Sequence, residues 1–103
     1  MNILDSLEMW TRSLRSIFEA AGITVHFDRT SDSRPKSSAS LNLRRGSAEA
    51  DLLVWDSGEA DLSTMEDDGS AKQEHFENLL KPEDLAPVLS RVAALMGLIV
   101  KST

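Results

Sequence analysis

The chain has 103 residues, 41% of them hydrophobic and 27% charged, with no cysteine and a formal net charge of −6. That length supports one buried core and not two, and the balance is that of a globular chain, so residues 1–103 are read as one domain. The absence of cysteine excludes a disulfide framework, a thiolate nucleophile and a Cys-ligated zinc, and it suits a reducing compartment.

The charge is unevenly spread. Residues 1–46 carry seven Lys/Arg against five Asp/Glu, whereas residues 47–103 carry four against twelve. The acidic second half argues against nucleic-acid binding, which needs clustered cations, and it points to a basic protein as the electrostatic partner. Asp5 and Glu8 stand where a secretory signal would be basic, and no apolar run reaches the roughly 18 residues of a membrane span. A cytoplasmic location is the expectation.

Ile3, Leu7, Trp10, Leu14, Ile17 and Ala21 recur at spacings of three and four, with Leu4 and Phe18 beside them, which predicts an amphipathic helix. Asn2 is its expected cap, Asp5 falls in its first turn, and Gly22 is positioned to end it. Trp10 and Phe18 are read as packing residues. After Gly22 the period changes to two, and Ile23, Val25 and Phe27 form one face of a strand. Arg29 to Ser37 contains Pro35 and no apolar residue, so it reads as a mobile loop.

Alternation resumes with Ala39, Leu41 and Leu43, then with Ala48, Ala50, Leu52 and Val54. A tight turn at Arg45-Gly46 would set Leu43 against Ala48 and Leu41 against Ala50, with both apolar sets on one side. The next hairpin can close in two ways. A two-residue loop at Ser57-Gly58 pairs Val54 with Asp61 and puts an acid among the core residues. A three-residue loop with Gly58 left-handed, a type I turn with a G1 bulge, pairs Val54 with Ala60 and Leu52 with Leu62. The second keeps the core face apolar and leaves Leu53, Trp55, Glu59 and Asp61 on the other face.

After the acidic turn Glu66-Asp67-Asp68-Gly69, a fifth strand is predicted from about Ala71 to Asn78, with Phe76 inward in preference to His75. The last element is an amphipathic helix with Leu85, Val88, Leu89, Val92, Leu95 and Met96 on one side. Asp84 is its expected cap, which makes Pro87 a tolerated first-turn proline. The predicted fold is α+β: four to five mainly antiparallel strands, with the N-terminal and C-terminal helices packed on one face.

Chemical motifs are absent. His26 and His75 stand alone on different strands, without the i, i+4 partner of a metal site. No nucleophile elbow, P-loop or dinucleotide fingerprint occurs. Glu59 and Asp61 share a strand face, but paired catalytic carboxylates need a cleft and unlike environments that an open sheet does not supply. Neither enzymatic activity nor any metal or cofactor is expected.

The segment Leu52 to Leu62, LLVWDSGEADL, followed by EHFENL and by the helix start PEDLAPVL, resembles the TriTu family of bacterial immunity proteins. Its most specific part is Val54-Trp55-Asp56-Ser57-Gly58-Glu59 with Asp61-Leu62; elsewhere the likeness is one of pattern, with Gly97 to Val100 departing from a plain helical finish. The resemblance implies a non-enzymatic protein that neutralises a cognate toxin domain of a polymorphic toxin system by binding it. A small acidic secretion chaperone for an effector protein is the alternative, and a generic adaptor domain a third.

The residues expected at the partner surface are Leu53, Trp55, Asp56, Glu59 and Asp61, with Glu66, Asp67 and Asp68 at an adjoining turn. Aromatic anchors ringed by charge supply affinity and steering in protein interfaces. The alternative for Trp55 is cover within the chain or a dimer contact.

Overall fold

The computed structural model describes residues 2–30 and 37–98. Seven elements follow in order: α1 (Ile3–Ala20), β1 (Thr24–Arg29), β2 (Ser38–Arg45), β3 (Ala48–Trp55), β4 (Ala60–Met65), β5 (Ala71–Phe76) and α2 (Pro82–Leu95). The strands form one antiparallel meander in the order β1-β2-β3-β4-β5, and both helices contribute to a single apolar core on one side of it.

Asn2 caps α1 by accepting the Asp5 N–H on its side-chain oxygen at 2.9 Å. The helix ends in a Schellman motif: Gly22, at φ 82°, donates to the Glu19 carbonyl, and Ile23 donates to that of Phe18. The face that α1 buries differs from the expectation by one residue's rotation. Ile3, Leu4, Leu7, Thr11 and Phe18 are buried, Trp10 and Leu14 are half-buried, and Ile17 is 54% exposed. Two neighbouring stripes of this helix are both apolar, and packing selects the one through Leu4 and Phe18. Thr11 fits there because its hydroxyl donates to the Leu7 carbonyl. Trp10 leans on Phe18 with ring centroids 5.6 Å apart.

The turn between β2 and β3 is Gly46-Ser47, not Arg45-Gly46, so Leu43 faces Ala50 and Leu41 faces Leu52. Gly46 has φ 59° and Ser47 is not left-handed, which is the type II′ requirement for glycine in the first loop position. The expected turn would have demanded a left-handed Arg45. The shift moves the pairing by two residues, so the same side chains stay inward.

The β3–β4 hairpin closes on three residues with Gly58 left-handed, pairing Val54 with Ala60 and Leu52 with Leu62. β5 is shorter than expected and ends at Phe76, which pairs with Ala60 and packs against the core. Arg29 belongs to β1, where its guanidinium reaches Asp5 and Glu8 of α1, each at 2.8 Å. Of the predicted loop from Arg29 to Ser37, residues 31–36 lie outside the described residues.

α2 begins three residues before the expected point. Pro82 is its first residue, Lys81 is held extended before it, and Asp84 is the third helical residue, accepting the Leu80 and Lys81 N–H groups. Pro87 is therefore interior and removes the bond to the Glu83 carbonyl. At the far end Gly97 and Leu98 donate to the Ala94 and Ala93 carbonyls, a second Schellman ending. Arg45 caps the same terminus by donating to the Met96 carbonyl at 2.8 Å, where a cation is favoured. The stretch from Gly97 is thus a helix cap as far as Leu98; Ile99 and Val100 lie outside the described residues.

Candidate protein-binding face

Because side chains alternate along each strand, covering one face with helices leaves the other to solvent or to a partner. The register sets Asp28, Ser40, Leu53, Asp61 and His75 in one row across the five strands of that outer face. The next row is His26, Asn42, Asp51, Ser63 and Gln73. Leu53 is the one apolar side chain in the two rows, and it is half-buried. Trp55 follows on the same face, also half-buried, and its N–H donates to the Glu59 carbonyl across the hairpin.

Among the described residues, the electrostatics of the face are set chiefly by carboxylates. The Asp61 carboxylate meets His75 Nδ1 at 2.7 Å, and Glu77 stands 3.7 Å from the other ring nitrogen. The hydrogen bond to Asp61 is the main reason that His75 titrates above its ordinary 6.5; desolvation opposes the shift, and the charges of Asp61, Glu77 and Glu59 add smaller contributions to it. At the far end of the face Asn42 donates to Glu49, and Arg44 reaches the same carboxylate at 3.3 Å. These two partners, Asn42 first, hold Glu49 below the usual glutamate range. Between these clusters lies a shallow hollow of about 420 Å³ bordered by Asn42, Glu49, Asp51, Ser63 and Gln73, and a second of about 550 Å³ is bordered by Asp61, Ser63, Gln73 and His75.

The expected surface residues divide into two groups. Leu53, Trp55, Glu59 and Asp61 share the outer face, and Asp56 stands at the hairpin tip, where its backbone and carboxylate both bond to Ser37. Glu66, Asp67 and Asp68 are not beside them. They occupy the β4–β5 turn at the other end of β4, about 20 Å away for a six-residue strand at roughly 3.3 Å per residue. A meander puts successive turns at opposite ends of its sheet, so this acidic turn neighbours the β2–β3 turn instead, with Ser47 donating to Asp67 at 3.0 Å.

Two members of the surface were missed by sequence reasoning: Glu77, just beyond β5, and Leu80, 61% exposed in the segment before α2. The doublet Leu79-Leu80 was the available signal, since two adjacent leucines in an extended segment cannot both point inward. The histidines lie on opposite edge strands, His26 on β1 and His75 on β5.

No helix among the described residues is long and apolar enough to cross a membrane. The model of one protein family, described as immunity protein TriTu, matches residues 5–94, which takes in all five strands and nearly all of both helices. No curated protein and no solved structure matches the chain.

Proposed function

The chain belongs to the TriTu family of immunity proteins, and from that premise we propose that it binds and neutralises a cognate toxin domain through the outer face of its sheet. The role is stoichiometric and not catalytic, and it is exercised in the cytoplasm of the cell that makes the toxin. Family membership carries the reading. The outer face supports it: both helices are spent on the opposite side, and the face left over offers Leu53 and Trp55 among Asp56, Glu59 and Asp61.

The direct test is binding of the toxin domain encoded beside this gene, with rates measured for the wild-type chain and for Trp55→Ala. The variant is expected to bind more weakly by about 2 kcal/mol or more, chiefly through faster dissociation, while its far-ultraviolet spectrum is unchanged. Unchanged rates would move the interface off this face, and an unfolded variant would make Trp55 a packing residue. A compact complex with a folded toxin domain separates this function from that of a secretion chaperone, which would hold an extended client.

A further inference from the structure

Leu80 is an exposed leucine on a clamped backbone. The Leu79 N–H donates to the Gly58 carbonyl at 2.8 Å, while the Leu80 and Lys81 N–H groups both donate to the Asp84 carboxylate. Asn78 enters the segment at φ 65°, the left-handed conformation that asparagine tolerates best after glycine. Leu79 uses this geometry to enter the core, at 7% exposure, and Leu80 is turned outward at 61% over Gly58. The close approach depends on glycine, because a Cβ at residue 58 would lie 2.7 Å from Leu80 Cδ2.

Among the described residues the surroundings are predominantly acidic. The two segments joined by the Gly58–Leu79 bond, residues 55–61 and 77–84, contain Asp56, Glu59, Asp61, Glu77, Glu83 and Asp84 against the single lysine Lys81. A held-out apolar side chain costs little further conformational entropy on binding, and carboxylates around it select a cationic partner surface.

We propose that Leu80 is a preorganised anchor for the toxin domain, inserting into an apolar pocket bordered by lysine or arginine on the toxin, so that the interface is centred on the β3–β4 hairpin tip and not on the acidic β4–β5 turn. The inference rests on the toxin-binding function proposed above. Met65, 44% exposed at the opposite end of β4, is the control position.

The experiment measures dissociation of the toxin domain encoded beside this gene from the full chain carrying Leu80→Ala, Leu80→Lys or Met65→Ala. Leu80→Ala is expected to raise the dissociation constant about tenfold or more, and Leu80→Lys further, with melting temperatures unchanged. Met65→Ala is expected to leave the constant within about twofold. Equal binding by wild type and both Leu80 variants would overturn the anchor and leave the toxin-binding function standing. Failure of the wild-type chain to bind would overturn both. A loss with Met65→Ala as large as that with Leu80→Ala would place the centre of the interface elsewhere.

Discussion

Gly58 shows how much one residue can carry. Its φ of 94° closes the β3–β4 hairpin, its carbonyl accepts from Leu79, and its missing side chain admits Leu80 and the Leu79 backbone, whose nitrogen would lie 3.2 Å from a Cβ. Gly58→Ala is therefore expected to destabilise the chain by about 2 kcal/mol or more in denaturant titration, combining left-handed strain with the clash. The conformational half of this role was legible in Trp55-Asp56-Ser57-Gly58-Glu59, because only a G1 bulge keeps Asp61 out of the core. The contact half was not, because nothing local ties residue 58 to residues 79 and 80. His75 is similar: alternation turned it outward, but only the β4–β5 register sets it against Asp61.

Among the elements, α1 shows where periodicity stops deciding. Leu4, Thr11 and Phe18 each lie one residue away from Ile3, Trp10 and Ile17, and the two stripes share Leu7 and Leu14. Which one faces the sheet depends on the partner surface. Arg29 of β1 helps to set that choice by bridging Asp5 and Glu8 across to the helix. The hydrogen bond from Arg29 holds the Asp5 carboxyl below its ordinary 3.8. A depressed carboxylate contributes stability above its unfolded value and loses it as pH falls through the folded one. Arg29→Gln is thus expected to melt a few degrees below wild type at pH 7, with the difference shrinking as pH falls below 3.8. Thermal melts at pH 7, 4 and 3 check this, and a pH-independent difference would assign the effect to lost packing of the arginine stem.

Over the whole molecule, the meander sorts charge that is merely abundant in the sequence. The acids of the second half part into the β4–β5 turn at one end and, at the other, a group around the hairpin tip and the adjoining outer face. If the toxin approaches the second group, Glu59→Lys with Asp61→Lys is expected to slow association and flatten its dependence on ionic strength. Reversal of Glu66 and Asp67 is expected to change the association rate far less. Stopped-flow association at several salt concentrations compares them, and equal effects would mean that long-range net charge, not a local face, steers the encounter.

The alternation of Leu41, Leu43, Leu52, Val54 and Leu62, the capping residues Asn2 and Gly22, and the left-handed Gly58 were enough to determine the α+β class, the order of elements and the apolar side of the sheet. These are properties of neighbours in the chain, where side-chain direction follows from φ and ψ and from a period of two or 3.6. The rotation of α1, the Gly46-Ser47 turn, the distance between the acidic turn and Trp55, and the exposure of Leu80 over Gly58 were decided by tertiary structure. Each depends on competition between surfaces far apart in sequence, and burial of the best-fitting apolar set settles that competition only after the elements meet.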